Sequence, residues 1–332
     1  MTVLPRMGLV GLGMAVTPHA EAYRDLANRV TVAAAFAPSE ARRRAFAERF
    51  GFPVVDTLEA ILDDPTIAAV GLQTPPNTHL DLVCRCAAAG KHVLLEKPLE
   101  IDTERAAATV AACEAAGVTL GVMLQHRFRP SGLELRRLLN AGALGAVTGG
   151  QVSILNWRPQ AYYDEPGRGE KGRDGGGVLL TQGIHTLDLL TACLGLPEAV
   201  HGLHRTTPVH VMETEDLAGA VMRYPNGAIV TLTATTAAYP GFPERITLFC
   251  EKGTADLVGT TLRVRYLDGR EETFGEAIGA GGTGADPMAF PSDYHRALIA
   301  DFVEAIREGR PPAVTGQDAL EAHRLIDRIL AG

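Results

Sequence analysis

Residues 7–22, MGLVGLGMAVTPHAEA, set the architecture of the chain. A short apolar run over residues 7–10 leads into Gly11-Leu-Gly13 and then into residues that can begin a helix. This order predicts a strand, a tight turn and a helix N-terminus. Gly11 permits the turn, Gly13 lets backbone approach a pyrophosphate, and the helix directs free N–H groups at it. Val16 stands where Gly or Ala would allow close helix–strand packing, so the turn alone leaves a nucleotide site and an ordinary loop both open.

The first third of the chain alternates apolar strands with helices, as a parallel sheet requires. Six strands are predicted, at residues 7–10, 30–36, 54–55, 68–73, 92–95 and 119–123. The sequence therefore predicts an α/β, doubly wound Rossmann domain over residues 1–126, which favours the nucleotide interpretation of the glycine turn.

From residue 127 the pattern changes to long β-type segments that follow one another without helices. Strands are predicted at residues 147–157, 199–205, 217–224, 228–236, 245–250 and 262–266. Pro225-Asn226-Gly227 predicts a hairpin between two of them. Residues 127–332 are expected to form an α+β substrate-binding domain with a large, mainly antiparallel open sheet. Because such a sheet leaves one face uncovered, we expect a homodimer or homotetramer through it.

Composition narrows the possible partners and location. Apolar residues make up 46% and charged residues 21% of the 332 residues. The net charge is −8 and no run of Lys or Arg occurs, which argues against nucleic acid or an anionic membrane as a partner. No apolar run reaches the ~18 residues of a membrane span, and no signal-peptide core follows the N-terminus. The five cysteines are interpreted as reduced core thiols of a cytoplasmic protein, and no metal motif occurs. Glycine-rich residues 279–284 are expected to be mobile and 286–292 to form a loop.

The end of the second strand bears on the cofactor. NAD-binding domains normally place an Asp or Glu about 20 residues beyond the glycines, where it accepts hydrogen bonds from the adenosine ribose. Here residues 36–39 read Phe-Ala-Pro-Ser, with no carboxylate before Glu40. Since nothing there repels a 2′-phosphate, and Ser39 with Arg42 or Arg43 can bind one, NADP is favoured over NAD. The alternative is that Ser39 is only an N-cap and the arginines form a solvated helix face.

A second motif, GGGVLLTQGIHTLD, covers residues 175–188. It predicts a glycine hinge followed by a helix that carries Thr181, His185 and Asp188 on one face at spacings i, i+4 and i+7. This polar row is interpreted either as a reactive site or as a satisfied buried network.

Together these residues resemble a known family. Gly11-x-Gly13, TPPNTH at residues 74–79, Glu96-Lys-Pro98 and the motif at 175–188 occur in the order of the glucose-fructose oxidoreductase/inositol dehydrogenase (Gfo/Idh/MocA) family, over essentially the whole chain. The resemblance implies an NAD(P)-dependent oxidoreductase acting on a sugar, cyclitol or related polyol, with the nicotinamide between the domains. It implies that Lys97 and His185 act at the reacting oxygen. Thr181 stands where many relatives carry an aspartate that shares the acid/base work.

The expected site residues fall into three groups. The catalytic residues are Lys97, His185 and Thr181. The expected cofactor contacts are Gly11, Gly13, Met14, Ala15, Ala37, Ser39, Arg42, Thr74, Pro75, Asn77, His79, Glu96 and Lys97. The expected contacts to a hydroxyl-rich substrate are Lys97, Arg158, Tyr163, Arg168, Thr181 and His185.

Two other functions remain open. Some branches of the family hold NAD tightly and use transient oxidation to cleave a glycosidic bond, so an NAD-dependent glycoside hydrolase is one alternative. Thr181 and Val16 leave a non-catalytic cofactor-binding sensor as the other.

Overall fold

The computed structural model describes residues 4–276 and 292–332. These residues form two compact units, one of residues 4–125 and 292–320 and one of residues 126–276 and 321–332. The glycine-rich stretch 279–284 and, up to residue 291, the loop predicted at 286–292 lie outside the described residues. The assignment of separate cofactor and substrate domains at residues 126 and 127 stays a prediction.

A five-stranded parallel sheet forms the centre of the first unit, in the order β2-β1-β3-β4-β5. The strands are β1 (Arg6–Val10), β2 (Thr31–Phe36), β3 (Ala69–Leu72), β4 (His92–Leu95) and β5 (Leu120–Val122). Strands β3 and β4 are apolar almost throughout because helices cover both faces of a doubly wound sheet. The predicted Rossmann fold is confirmed.

The strand predicted at residues 54–55 is wrong. Val54 makes only an isolated parallel bridge with Ala35. The Ala35 N–H donates to Pro53 O at 2.8 Å and the Val55 N–H to Ala35 O at 3.0 Å, but Pro53 has no N–H of its own to donate. The segment is therefore too short to continue the sheet.

Helices separate the strands of this unit. They are α1 (Val16–Asp25), α2 (Glu40–Phe50), α3 (Glu59–Leu62), α4 (His79–Ala88) and α5 (Thr103–Ala116), and a 3₁₀ turn over Pro76–Thr78 precedes α4. Helix α5 shows why these boundaries lie where they do. The Asp102 carboxylate accepts the Arg105 N–H at 2.8 Å, and Gly117 ends the helix at φ +66°.

The second unit is built on an eight-stranded sheet in the order β13-β12-β11-β10-β6-β9-β8-β7. Its strands are β6 (Val147–Leu155), β7 (Ala199–Arg205), β8 (Leu217–Arg223), β9 (Ile229–Thr235), β10 (Arg245–Cys250), β11 (Gly253–Val258), β12 (Thr261–Tyr266) and β13 (Glu271–Phe274). All neighbours are antiparallel except β6 and β9, so the mainly antiparallel sheet is confirmed. The hairpin at residues 225–227 joins β8 to β9, and Gly227 takes the left-handed conformation at φ +86°.

Five helices lie between residues 126 and 198. Two have eleven residues, α6 (Pro130–Asn140) and α10 (Ile184–Leu194), and three have four residues, α7 (Gln160–Tyr163), α8 (Lys171–Asp174) and α9 (Val178–Thr181). A 3₁₀ turn over Gln125–Phe128 precedes α6. The single helix expected after the glycine hinge is wrong. It breaks at Gln182 and Gly183, with a bend of 55° between the segments on either side. The buried Gly183 N–H donates to Val178 O at 2.7 Å. This bond spans five residues, whereas an α-helix has bonds that span four.

The outer face of this sheet carries exposed apolar side chains. Helices α6 and α9 lie on its other face and α10 packs on both of them, while Leu203, Val221, Ile229 and Phe249 are exposed. Association of two or four copies through this face stays a prediction. Sedimentation of the purified protein tests it, and a monomer at micromolar concentration contradicts it.

The chain closes with α11 (Asp293–Glu308), which packs on α1 in the first unit, and α12 (Gly316–Ala331). Within the described residues, no helix is by itself both long and apolar enough to cross a membrane; the bent pair 171–181 and 184–194 meets that test only in combination. All five cysteines are free thiols, but Cys84 is exposed, so the expectation of core thiols is wrong for that residue.

Candidate functional site

The glycine turn after β1 has the geometry that its sequence predicts. Gly11 lies at φ +98°, and a Cβ there would fall 2.6 Å from the Gln73 backbone and 2.8 Å from Thr74 Cγ2. Its N–H donates to Phe36 O at 2.9 Å, which ties the turn to the end of β2. Only glycine satisfies both the conformation and the space at this position.

Gly13 differs from Gly11 because a Cβ on it would meet no atom within 4 Å. The open space lies in front of the N-terminus of α1, whose first turn carries no acidic residue. Met14 is exposed and Ala15 half-buried beside it, whereas Val16 is buried and fills the third fingerprint position. Since uncapped backbone N–H groups and the positive end of the helix dipole favour an anion, this turn fits a dinucleotide pyrophosphate.

The three residues predicted to bind a 2′-phosphate at the end of β2 differ in their contacts. Ser39 caps α2, its Oγ accepting the Arg42 N–H at 3.3 Å. The Arg43 guanidinium donates to Ala37 O at 2.8 Å and to the Asp56 carboxylate at 2.8 Å, so it is held in place within the unit. Arg42 is exposed and makes no ion pair in the described part of the chain, which leaves it, rather than Arg43, as the proposed phosphate ligand.

Two loops follow the adjacent strands β3 and β4 and carry the next predicted cofactor residues. Thr74, Pro75 and Asn77 lie on the first loop, partly or fully exposed. His79 is fully buried, and its ring nitrogens lie 2.9 Å from Thr74 O and 3.0 Å from Pro98 O. Burial lowers the pKa of His79. We therefore assign His79 to joining the two loops, not to direct contact with a cofactor.

Glu96 and Lys97 are half-buried at the carboxyl end of β4. The buried His19 on α1 lies with its Nε2 2.8 Å from Glu96 Oε2, and the His295 ring stands edge-on to His19 with centroids 5.1 Å apart. Burial works to raise the pKa of Glu96, but the bond from His19 and the charge of Lys97 outweigh it and hold the pKa below its usual range. The ionised carboxylate accepts the His19 Nε2–H.

The role of His295 follows from the same contacts. Burial, together with the nearby His19 and Lys97, lowers the pKa of His295 to about 3. The His295 ring is therefore neutral at physiological pH. The charged neighbour of Lys97 in the sequence is the ionised carboxylate of Glu96. Nothing in the sequence separated His19 or His295 from ordinary core histidines.

In the second unit, Thr181 ends α9 and His185 lies in the first turn of α10. The Thr181 hydroxyl lies 2.7 Å from Gly177 O and also bonds to the Gln182 side chain. His185 is half-buried. The carboxylate of Glu215 accepts the N–H groups of Gly177 at 2.9 Å and Leu179 at 3.1 Å, which fixes the start of α9.

Asp188 belongs to a buried ion pair. The Arg127 guanidinium binds it with both arms, at 2.8 Å from Nε to Oδ2 and 2.6 Å from the terminal nitrogen to Oδ1. The side chains of Arg127 and Asp188 are only 4% and 0% exposed. Of the two interpretations of the polar row, a reactive site or a satisfied buried network, this geometry supports the buried network for Asp188.

His185 has a neighbour that the sequence did not single out. The His126 ring stacks on it with centroids 4.7 Å apart and planes inclined by 25°. His126 precedes Arg127 in the 3₁₀ turn before α6, so one short turn supplies contacts to both His185 and Asp188. Because the two histidines are 59 positions apart in the sequence, no local spacing pattern reveals the pair.

The predicted substrate contacts before the hinge lie in an aromatic cluster. The Tyr163 hydroxyl donates to Thr236 Oγ1 at 2.8 Å, and burial raises its pKa. The Arg158 and Arg168 guanidiniums lie over the Tyr162 ring, 5.6 Å and 4.9 Å from its centroid. Burial lowers the pKa of Arg158, whereas Arg168 is the more exposed of the two. Among the described residues no group of three or more His, Cys, Asp or Glu side chains forms a metal site.

Two protein-family models together match most of the chain. A model described as an oxidoreductase family with an NAD-binding Rossmann fold matches residues 5–124. A model described as the GFO/IDH/MocA C-terminal domain matches residues 133–256.

Individual proteins match over nearly their full length. The chain is 27% identical to myo-inositol 2-dehydrogenase of Thermotoga maritima, over 94% of this chain and 91% of that protein. It is 28% identical to D-xylose 1-dehydrogenase (NADP(+)) 2 of Haloferax volcanii, over 97% and 94%. The structure of the WlbA dehydrogenase from Bordetella pertussis, in complex with NADH and UDP-GlcNAcA, superposes with a TM-score of 0.84 at 26% identity, over 99% and 96%.

Proposed function

The chain belongs to the Gfo/Idh/MocA family of NAD-binding oxidoreductases, and we propose that it interconverts the alcohol and ketone forms of a sugar, cyclitol or related polyol. It is an NAD(P)-dependent dehydrogenase acting on CH–OH groups. The observation that carries the substrate class is the nearly full-length similarity to dehydrogenases of inositol and of xylose, two hydroxyl-rich compounds.

The first unit supplies the residues that would hold the cofactor. Gly11 makes the turn and Gly13 leaves room for the pyrophosphate at the N-terminus of α1, and Ser39 and Arg42 stand at the end of β2. Thr74, Asn77 and Glu96 follow the neighbouring strands β3 and β4, where dinucleotides bind in doubly wound sheets. When bound, the nicotinamide takes a hydride from the alcohol or returns it to the ketone.

Lys97 and His185 are the residues that we assign to the reacting oxygen. The Lys97 ammonium donates a hydrogen bond to that oxygen and stabilises the negative charge that develops on it. His185 takes the hydroxyl proton during oxidation and returns it during reduction, a role that suits an imidazole near neutral pH.

Thr181 is given a positioning role. Its hydroxyl is bonded to Gly177 O and the Gln182 side chain, and it can accept a hydrogen bond from a substrate hydroxyl. It cannot supply the negative charge that an aspartate would place near an imidazolium. Arg168, which is half-buried, offers donors to the same hydroxyl-rich substrate, whereas Arg158 is only 3% exposed and is not assigned a substrate contact.

The preference for NADP over NAD is tested by a substitution at the end of β2. Replacement of Arg42 by alanine is expected to weaken NADPH binding about tenfold, the loss of one charge-assisted phosphate contact, and to leave NADH binding unchanged. Titration followed by nicotinamide fluorescence measures both. Arg44→Ala on the same helix is the control, since Arg44 is exposed and paired with Glu40. Tighter binding of NADH than NADPH by the unaltered protein contradicts the preference for NADP.

The activity itself is tested with a panel of substrates. Purified protein is incubated with NAD⁺ or NADP⁺ and myo-inositol, scyllo-inositol, xylose, glucose or a sugar acid, and formation of reduced cofactor is followed by absorbance. We expect turnover of at least one polyol. Hydrolysis of an aryl glycoside without net reduction of the cofactor would instead support the hydrolase, and binding of cofactor without any turnover would support the sensor.

A further inference from the structure

The stacked pair of His185 and His126 is not explained by the proposed reaction, which uses only His185. We propose that His126 is a positioning residue for the base, holding the His185 ring in a fixed orientation and keeping it unprotonated near neutral pH. The inference rests on the proposed role of His185.

The stacking restricts the His185 ring. The two ring planes are inclined by only 25° with centroids 4.7 Å apart, so His126 covers one face of His185. His126 is itself buried, and Gly132 packs against its backbone, where a Cβ would lie 2.8 Å from His126 O. A ring that is held on one face loses less rotational freedom when it takes a proton from a substrate, which favours the reactive geometry.

The charges around the pair determine which ring binds a proton first. His126 Nε2 lies 3.8 Å from Glu244 Oε1, and Arg129 also binds that oxygen. A carboxylate stabilises a proton on His126, while the guanidinium limits this effect. Arg127, which follows His126 in sequence, and Asp188, which lies on the same helix as His185, neutralise each other in their bidentate pair.

Two stacked imidazoles resist simultaneous protonation, because their charges repel and each ring displaces water from the other. The ring next to Glu244 is the better site for the first proton, so His185 is the ring that stays unprotonated. Proton binding is therefore a property of the two rings together. The His126 ring lowers the pH at which His185 becomes protonated.

The test replaces His126 by phenylalanine, which keeps a flat ring against His185 but removes the titrating group. The pH at which the His185 ring resonances titrate in NMR spectra of the protein without substrate is expected to rise by roughly half a unit to one unit. The acid limb of the kcat/KM profile is expected to move upward by the same amount, with KM at the optimum pH unchanged. His126→Ala, which also removes the stacking, is expected to lower kcat about tenfold relative to His126→Phe.

The controls separate this proposal from the catalytic assignment. His201→Phe alters an exposed histidine on β7 and is expected to leave the His185 titration unchanged. An unchanged His185 titration in His126→Phe overturns the proposal, whatever the activity. Full activity of His185→Ala overturns the role of His185 as base, and the NMR titration still reports whether the two rings are coupled. If His126→Ala fails to fold, the phenylalanine variant still decides the outcome.

Discussion

Replacement of His185 by alanine is expected to lower kcat/KM by about 10²–10⁴-fold, the usual loss when a positioned general base is removed. The cofactor affinity should stay unchanged, because His185 lies on α10 in the second unit, whereas the proposed cofactor residues lie in the first. Steady-state kinetics with the polyol found in the substrate panel measure the first quantity, and fluorescence titration with NADPH measures the second.

Lys97→Ala is expected to cause a loss of similar size, because an ammonium group that stabilises a developing oxyanion contributes comparably to a base. The matched control is Lys171→Ala, which changes an exposed lysine on α8 and should leave kcat/KM unchanged. If Lys97→Ala and His185→Ala both keep the activity of the unaltered protein, the catalytic assignment is wrong.

Asp188→Ala is expected to lower the free energy of unfolding by about 3–5 kcal/mol, because it leaves the Arg127 guanidinium buried without its carboxylate. Urea denaturation followed by circular dichroism measures the change. The double variant Arg127→Leu with Asp188→Leu removes both charges and is expected to recover most of the loss.

The surface of the protein offers a matched control for that pair. Arg137 binds Glu134 with the same two-armed geometry, at 2.7 Å on each arm, but Arg137 is mostly exposed. Glu134→Ala should therefore cost only a small fraction of the Asp188→Ala loss. A loss for Asp188→Ala as small as that expected for Glu134→Ala would show that the Arg127–Asp188 pair does not stabilise the second unit.

The features that the sequence predicted well are local ones. Gly11 and Gly13 predict the turn because a positive φ and an open approach are properties of single positions. Ser39 predicts the start of α2 because a cap bonds to an N–H three residues away. The hairpin at residues 225–227 follows from the turn residues themselves.

The features that were missed depend on residues far apart in the chain or on weak local signals. Arg127 and Asp188 are 61 residues apart, and His126 meets His185 only after the 3₁₀ turn and α10 have packed. Strand β11 begins GTAD and β13 reads EETF, sequences with low strand propensity that the neighbouring strand β12 holds in the sheet. The break at Gly183 was missed because the apolar spacing continues through it.

The proposed reaction requires direct transfer of hydrogen between the substrate carbon and the cofactor. The decisive measurement uses the polyol that the panel identifies, deuterated at the carbon that is oxidised, with mass spectrometry of the cofactor and product. We expect one deuterium in each reduced cofactor molecule and an equal amount of ketone, with both lost in His185→Ala. Deuterium that stays in the sugar, with no net reduced cofactor, would contradict the assignment of this chain as a polyol dehydrogenase.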